Sequence, residues 1–174
     1  MLIQKVTILV ITVFLLSTNQ QATADTRHDT QYDPEIAASV AAAMVALDEF
    51  MLHFNAKNPT AWAATLNYPH VRFASGGVTV YENQTIFSDT KAFEQLAKIG
   101  WDHSHWLERN VTLASKNKVH ISTVFQRFNS RNQPIGTYQS LYIVTNVDGH
   151  WGTQARSSPV SYTHLRAHET DSYL

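Results

Sequence analysis

The order of periodicities along this chain predicts an α+β fold, with helices leading and an antiparallel sheet following. Three observations carry the prediction. Apolar residues recur at helical spacing after Pro34; Gly76 and Gly77 separate two short alternating segments; and everything after Gly100 alternates in four runs joined by polar turns.

Pro34 suits the first turn of a helix with Asp33 as its N-cap. Ile36, Val40, Ala43, Met44, Leu47, Phe50, Met51 and Phe54 then form one apolar stripe, which predicts a helix over 34–57. Asn58 and Pro59 restart the chain, and residues 60–66 make a short second helix with Trp62 on its apolar side. Residues 70–74 and 78–81 alternate around the two glycines and read as an early hairpin. Ser88, Asp89 and Thr90 offer N-caps for a third helix carrying Phe93, Leu96 and Ile99, stopped by Gly100. Segments 101–114, 118–128, 137–147 and 151–157 follow, linked through Lys116-Asn117, residues 131–134 and Asp148-Gly149 as a meander.

Both ends fall outside this pattern. Lys5, the apolar run 6–16 and Ala22-Thr23-Ala24 read as a signal peptide over 1–24, which places the mature protein in the periplasm or outside the cell. The run is shorter than the ~20 residues of a membrane span, so no membrane association is expected after cleavage. Residues 25–33 form a polar leader. Residues 160–170, VSYTHLRAHET, resemble the translation of a transposon sequencing adapter. The tail 159–174 is therefore read as an artefact, and His164, Arg166 and His168 enter no site. The domain proper spans 34–158. A net charge of -1 gives no basic field for nucleic acid, and the absence of cysteine excludes disulfides, a thiol nucleophile and a thiolate metal site.

The segments YPHVRFASG at 68–76, GWDHSHW at 100–106, IGTYQSLY at 135–142 and GHWGTQARSS at 149–158 resemble the NTF2-like (SnoaL-like) superfamily. The resemblance covers about 34–158. It implies a cone of three N-terminal helices packed on a curved antiparallel sheet, a small apolar ligand inside the cone and a sheet-to-sheet homodimer. Some members catalyse isomerisation, dehydration or hydrolysis. The steroid-isomerase branch places an acid near the end of the first strand, where this chain reads FASGG at 73–77. The epoxide-hydrolase branch uses an Asp-Arg-Asp set, and no inward aspartate pair is evident here. Fold alone does not transfer function.

Alternation assigns faces. Trp101, His103, His105, Leu107, Val111 and Leu113 form the more apolar side of their strand and are expected to line the cone. His103 and His105 can then act as acid and base, or hold a metal. The inward sets offer no obvious third ligand, so neither a metal nor a cofactor is assigned. Val71 and Phe73 are expected inside, with His70 and Arg72 opposite. Trp62, Phe73, Trp101 and Phe125 are pocket or core residues, and Arg127, inward near a strand end, can meet an anionic ligand at the mouth. Leu141, Ile143, Thr145 and Val147 are expected to face inward, leaving Tyr138, Tyr142 and Val144 as the dimer face. Three functions stay open: a small-molecule binder, an isomerase or lyase using His103 or His105, and a dimeric interaction module with a filled cone.

Overall fold

The computed structural model describes residues 32–74 and 76–159. The chain divides into two units, 1–31 and 32–174. The signal-peptide segment, the leader as far as Gln31 and the tail beyond Pro159 lie outside the described residues.

Helix α1 spans Pro34–Asn55, and Asp33 caps it by accepting from the Glu35 amide at 2.8 Å. Its buried face is Ser39, Ala43, Ala46, Leu47, Phe50, Met51 and Phe54; five of these belong to the predicted stripe, Ser39 and Ala46 join it, and Ile36, Val40 and Met44 are only half-buried. Helix α2, Pro59–Ala64, starts from an Asn58 side-chain cap on the Ala61 amide at 3.0 Å. The expected third helix is two. Asn83 caps α3, Gln84–Ser88, through the Ile86 amide, so Ser88 ends a helix instead of starting one. Helix α4, Ala92–Lys98, follows, and Gly100 at φ 75° turns the chain out of it.

The strands are β1 Leu66–Ala74, β2 Gly77–Tyr81, β3 His103–Ser115, β4 Lys118–Phe128, β5 Pro134–Val147 and β6 His150–Ser158. They form one sheet in the order β2-β1-β6-β5-β4-β3. The β1–β2 hairpin and the β3–β6 meander are antiparallel as expected. The sheet as a whole is mixed, because β1 pairs parallel to β6. Long-range closure of the first hairpin onto the last strand leaves no local mark in the sequence.

Side-chain phase differs from the alternation count in three strands. In β3, Ser104 is buried and Trp106 half-buried, while His105 and Leu107 are exposed. Bulges between Trp106 and Glu108 and between Val111 and Leu113 then shift the phase, so no single odd-numbered set faces inward. In β5 the inward residues are Tyr138, Ser140, Tyr142 and Val144, the last two fully enclosed, so they cannot be a convex dimer face. In β1, His70 is buried and Phe73 is 44% exposed, so Phe73 is not a cone residue. Both faces of β1 and β5 carry apolar residues, and a count of them cannot choose a side. Strand β4 follows its expected phase, with Val119, Ile121, Thr123, Phe125 and Arg127 buried.

The core forms where α1 crosses the sheet. Phe50 meets Tyr142 edge-on at 5.5 Å and Trp62 at 5.5 Å, and Phe54 packs on Trp101 at 4.8 Å. Leu47, Val119, Ile121 and Val144 are wholly enclosed, each worth about 1.5–3 kcal/mol of burial. Farther along the sheet Asn67 ties β1 to β6 and, beyond it, to β5. Its Nδ2 donates to the Thr145 carbonyl at 2.8 Å, and its Oδ1 lies 2.8 Å from His150 Nδ1. Gly152 permits this approach, because a Cβ there would sit 3.0 Å from the Leu66 carbonyl carbon and 3.1 Å from the Asn67 nitrogen. Gly152→Ala should push β1 off β6 and lower stability by about 1–3 kcal/mol, the usual range for overpacking against backbone. Urea denaturation checks this, and an unchanged midpoint would contradict the close-approach account.

Candidate functional site

The concave face of the sheet carries polar side chains on an aromatic background. β1 contributes His70 and Arg72, β4 Thr123 and Arg127, β5 Tyr138, Ser140 and Tyr142, and β6 Arg156 and Ser158. A bulge in β6 sets the last two. Val144 pairs with Thr153 and Ile143 with Ala155, which leaves Gln154 unpaired. Thr153 and Arg156 both turn inward as a result, although they are three positions apart in sequence, an odd spacing that regular alternation would place on opposite faces. Arg156 then stands beside Arg72 on β1 and beside Tyr142 on β5, in one row across three strands.

Hydroxyl groups join the guanidiniums. Arg72 Nη1 donates to Ser158 Oγ at 3.1 Å, the Ser158 and Ser140 hydroxyls lie 2.6 Å apart, and Arg156 Nη2 donates to Ser140 Oγ at 3.2 Å. Arg156 also lies over the rings of Tyr142 at 5.0 Å and Phe125 at 5.3 Å. Arg127 is only 5% exposed, and its guanidinium sits 4.3 Å from the Tyr138 ring centroid. Gly136 makes room for that ring, since a Cβ there would meet the Tyr138 hydroxyl at 2.7 Å. Burial lowers the pKa of Arg127, and the Arg156 charge lowers it further against the raising influence of Tyr138. Burial and Arg156 push Arg72 down to about 9, which leaves it charged at neutral pH. Among the described residues, carboxylates form ion pairs with Lys57, Lys91, Arg109 and Lys116, and with neither Arg127 nor Arg156.

His70, 3% exposed, has Nδ1 3.0 Å from the Thr153 carbonyl. That partner accepts only, so Nδ1 carries the proton and Nε2 keeps a lone pair when the ring is neutral. Burial lowers its pKa to about 4, and Arg156 and Arg72 add to the shift while the Thr153 bond opposes it. Buried N–H groups without an acceptor complete the set: Trp62 Nε1, Trp106 Nε1 and Arg127 Nε.

Of the residues singled out from the sequence, Trp62, Trp101, Phe125 and Arg127 are buried inside. Trp62 and Trp101 pack with Phe54 and Phe93 under the helices, and Phe125 stacks on Tyr138 at 5.4 Å. Phe50, which touches both Trp62 and Tyr142, links the two groups. His103 and His105 are on the outer face. His103 stacks on Phe128 at 5.1 Å with its Nδ1 3.0 Å from Asp102, and His105 is exposed beside it. Two hydrogen bonds between the Asn55 carboxamide and the Ser104 backbone, both 2.9 Å, turn Ser104 inward and its neighbours out. The residues that sequence reasoning missed are His70, Ser140, Arg156 and Ser158. Their common signal is polarity opposite an apolar face, which reads as solvent exposure until the strand phase is known.

With this geometry in place, similarity to known proteins is informative. The family described as NTF2-like protein (DUF6841) matches residues 41–155. The chain belongs to that family. No curated protein is detectably similar in sequence. Solved structures share the NTF2-like fold at low identity. A Nostoc punctiforme protein of unknown function with a cystatin-like fold is 12% identical at TM-score 0.58, over 73% of this chain and 94% of that one. An NTF-2 like protein of unknown function from Shewanella oneidensis is 10% identical at TM-score 0.56, over 69% and 98%. A ketosteroid isomerase-like protein from Erwinia carotovora is 18% identical at TM-score 0.54, over 73% and 96%. These likenesses concern the fold alone.

His70 gives the NTF2-like domain a pH-dependent stability. Its folded pKa of about 4 lies below the unfolded 6.5, so the unfolded chain binds more protons between those values. The contribution is complete above pH 6.5 and is lost as pH falls toward 4, on the order of 3 kcal/mol in all. His70→Asn, which keeps a donor for the Thr153 carbonyl, should flatten the slope of unfolding free energy between pH 7 and about 4. Equal slopes in urea titrations of the two proteins would refute the assignment.

Proposed function

We propose that this NTF2-like protein is exported and binds a small, largely apolar molecule in the cone. The observation that supports the reading is a set of buried donors without acceptors, Trp62 Nε1, Trp106 Nε1 and Arg127 Nε, beside a core of aromatic and aliphatic side chains. A buried unsatisfied donor costs about 1–3 kcal/mol, and three in one apolar interior call for an acceptor from outside the chain. Phe50, Phe125, Tyr138 and Tyr142 supply faces for an apolar body. The histidine on this face is His70, and a pKa of about 4 makes it a weak base at neutral pH. Its Nε2 lone pair suits it to accept a hydrogen bond from a ligand, so binding is favoured over general-base chemistry.

The outer face of the sheet supports a third element, a homodimer. Phe73 is 44% and Leu107 53% exposed there, and Ile143 and Leu141 lie between them across the sheet, half-buried. A groove of about 350 Å³ on the same face is lined by Glu108, Ser122, Val124, Gln139, Leu141 and Ser157. A second copy laid on this face would bury that apolar surface.

Native mass spectrometry of protein extracted from the envelope of a bacterial host reads all three elements. The expected species is a dimer of chains beginning at Asp25, carrying a non-covalent small-molecule adduct. Trp106→Phe keeps an aromatic ring, though a smaller one, but deletes the indole N–H donor, and should reduce the adduct. A chain retaining Met1, a monomer at micromolar protein, or a protein free of adduct would each defeat the corresponding element.

A further inference from the structure

We infer that the molecule bound in the cone is an organic carboxylate, its charged end held by Arg127 and Arg156 and its apolar end by the surrounding rings. The inference rests on the ligand-binding reading above and adds the ligand's charge and head-group chemistry.

The first ground is uncompensated positive charge. Arg127 is buried and Arg156 half-buried, and no carboxylate of the described residues pairs with either. Arg72 stands next to Arg156 across the β1–β6 ladder, so like charges adjoin in the same row. Each of Arg72 and Arg127 is lowered in pKa by Arg156, the sign of mutual repulsion. Buried cations are ordinarily paired, because desolvation without a counter-charge is expensive. A structural role would have been served by an apolar side chain, or by an arginine with an acidic neighbour.

The second ground is donor geometry. Arg127 Nε is buried and donates to nothing. Among the described residues, the hydrogen bonds of the Arg156 side chain go to the Ser140 hydroxyl, at 3.3 Å from Nε and 3.2 Å from Nη2, and Ser140 in turn lies 2.6 Å from Ser158. These are long contacts to a neutral acceptor, and a carboxylate oxygen is a stronger partner for a guanidinium fork. Phe125 lies between the two arginines, 5.8 Å from the Arg127 guanidinium and 5.3 Å from that of Arg156, and Tyr138 flanks Arg127. A planar acid head bound there would keep its attached body against aromatic surface. That arrangement favours an organic acid over an inorganic anion, which has no apolar part to place.

The test is thermal unfolding and tryptophan fluorescence of the exported protein at fixed ionic strength, with benzoate, benzamide or inorganic phosphate as probes. Benzoate is expected to raise Tm and to bind at least about tenfold more tightly than benzamide, its neutral counterpart of similar shape. Arg127→Met is expected to melt no lower than wild type without anion, since it removes a buried unpaired cation, and to lose the preference for benzoate. Arg156→Gln should lose it as well. Equal binding of benzoate and benzamide would overturn the carboxylate assignment and leave cone binding intact. A larger response to phosphate than to benzoate would also overturn it. Binding of neither aromatic probe would count against both readings. Should Arg127→Met melt several degrees lower, its role is structural and the inference fails; the wild-type comparison of the two aromatic probes needs no variant.

Discussion

Asn55, the last residue of α1, uses its carboxamide as a substitute peptide group. Its Nδ2 donates to the Ser104 carbonyl and its Oδ1 accepts from the Ser104 amide, both at 2.9 Å. Ser104 is thereby held against the helix, and the Trp101 indole donates to its hydroxyl from the same side. Residues opposite one another on antiparallel strands share a face, so the phase set at Ser104 is handed on along the meander. Ser104 stands opposite Arg127, and Arg127 opposite Gly136. Trp106 stands opposite Phe125, and Phe125 opposite Tyr138. One side-chain amide on a helix end thus determines which set of residues on β3, β4 and β5 becomes the interior.

The interior defined in this way is unusual in its polarity. α1 supplies Leu47, Phe50 and Phe54 to a well-packed apolar floor, whereas the β1, β4, β5 and β6 side gathers arginines, serines, tyrosines and a neutral histidine. The apolar floor favours folding, and the polar wall opposes it through desolvation and like-charge repulsion. Local destabilisation that the rest of the domain tolerates is a common property of sites that meet something other than their own chain. The convex face has the opposite character. It is apolar where Phe73 and Leu107 emerge, and His103 and His105 face outward there, His103 stacked on Phe128 and His105 edge-on to it.

Bulges are the device that makes both faces possible. In β3 two bulges bring Val111 and Ala114 back toward the helices after Ser104 and Trp106, although these four residues do not share one parity. In β6 the unpaired Gln154 turns Arg156 inward, and its Oε1 is held by the Thr145 hydroxyl at 2.9 Å. Were Gln154 paired in regular alternation instead, Ala155 would occupy the concave face and Arg156 would point away. The guanidinium row therefore depends on a local defect in the ladder as much as on the identity of residue 156.

Much of this protein was legible in the linear sequence. Helical spacing after Pro34 determined α1 and its buried face, Asn58 with Pro59 determined the start of α2, and alternation with polar turns determined the meander, because these depend on neighbours within a few residues. The same logic placed Arg127 and Phe125 inside, since the extra residues in this stretch fall on β3 and β5, β4 itself alternates regularly, and its two faces differ clearly in polarity. Tertiary structure alone decided the phase of β1, β3 and β5, the parallel pairing of β1 with β6, and the meeting of Arg72, Arg127 and Arg156. A strand with apolar residues on both faces has two nearly equivalent phases. The choice between them is made by contacts far away in sequence, such as Asn55 with Ser104 and Asn67 with Thr145.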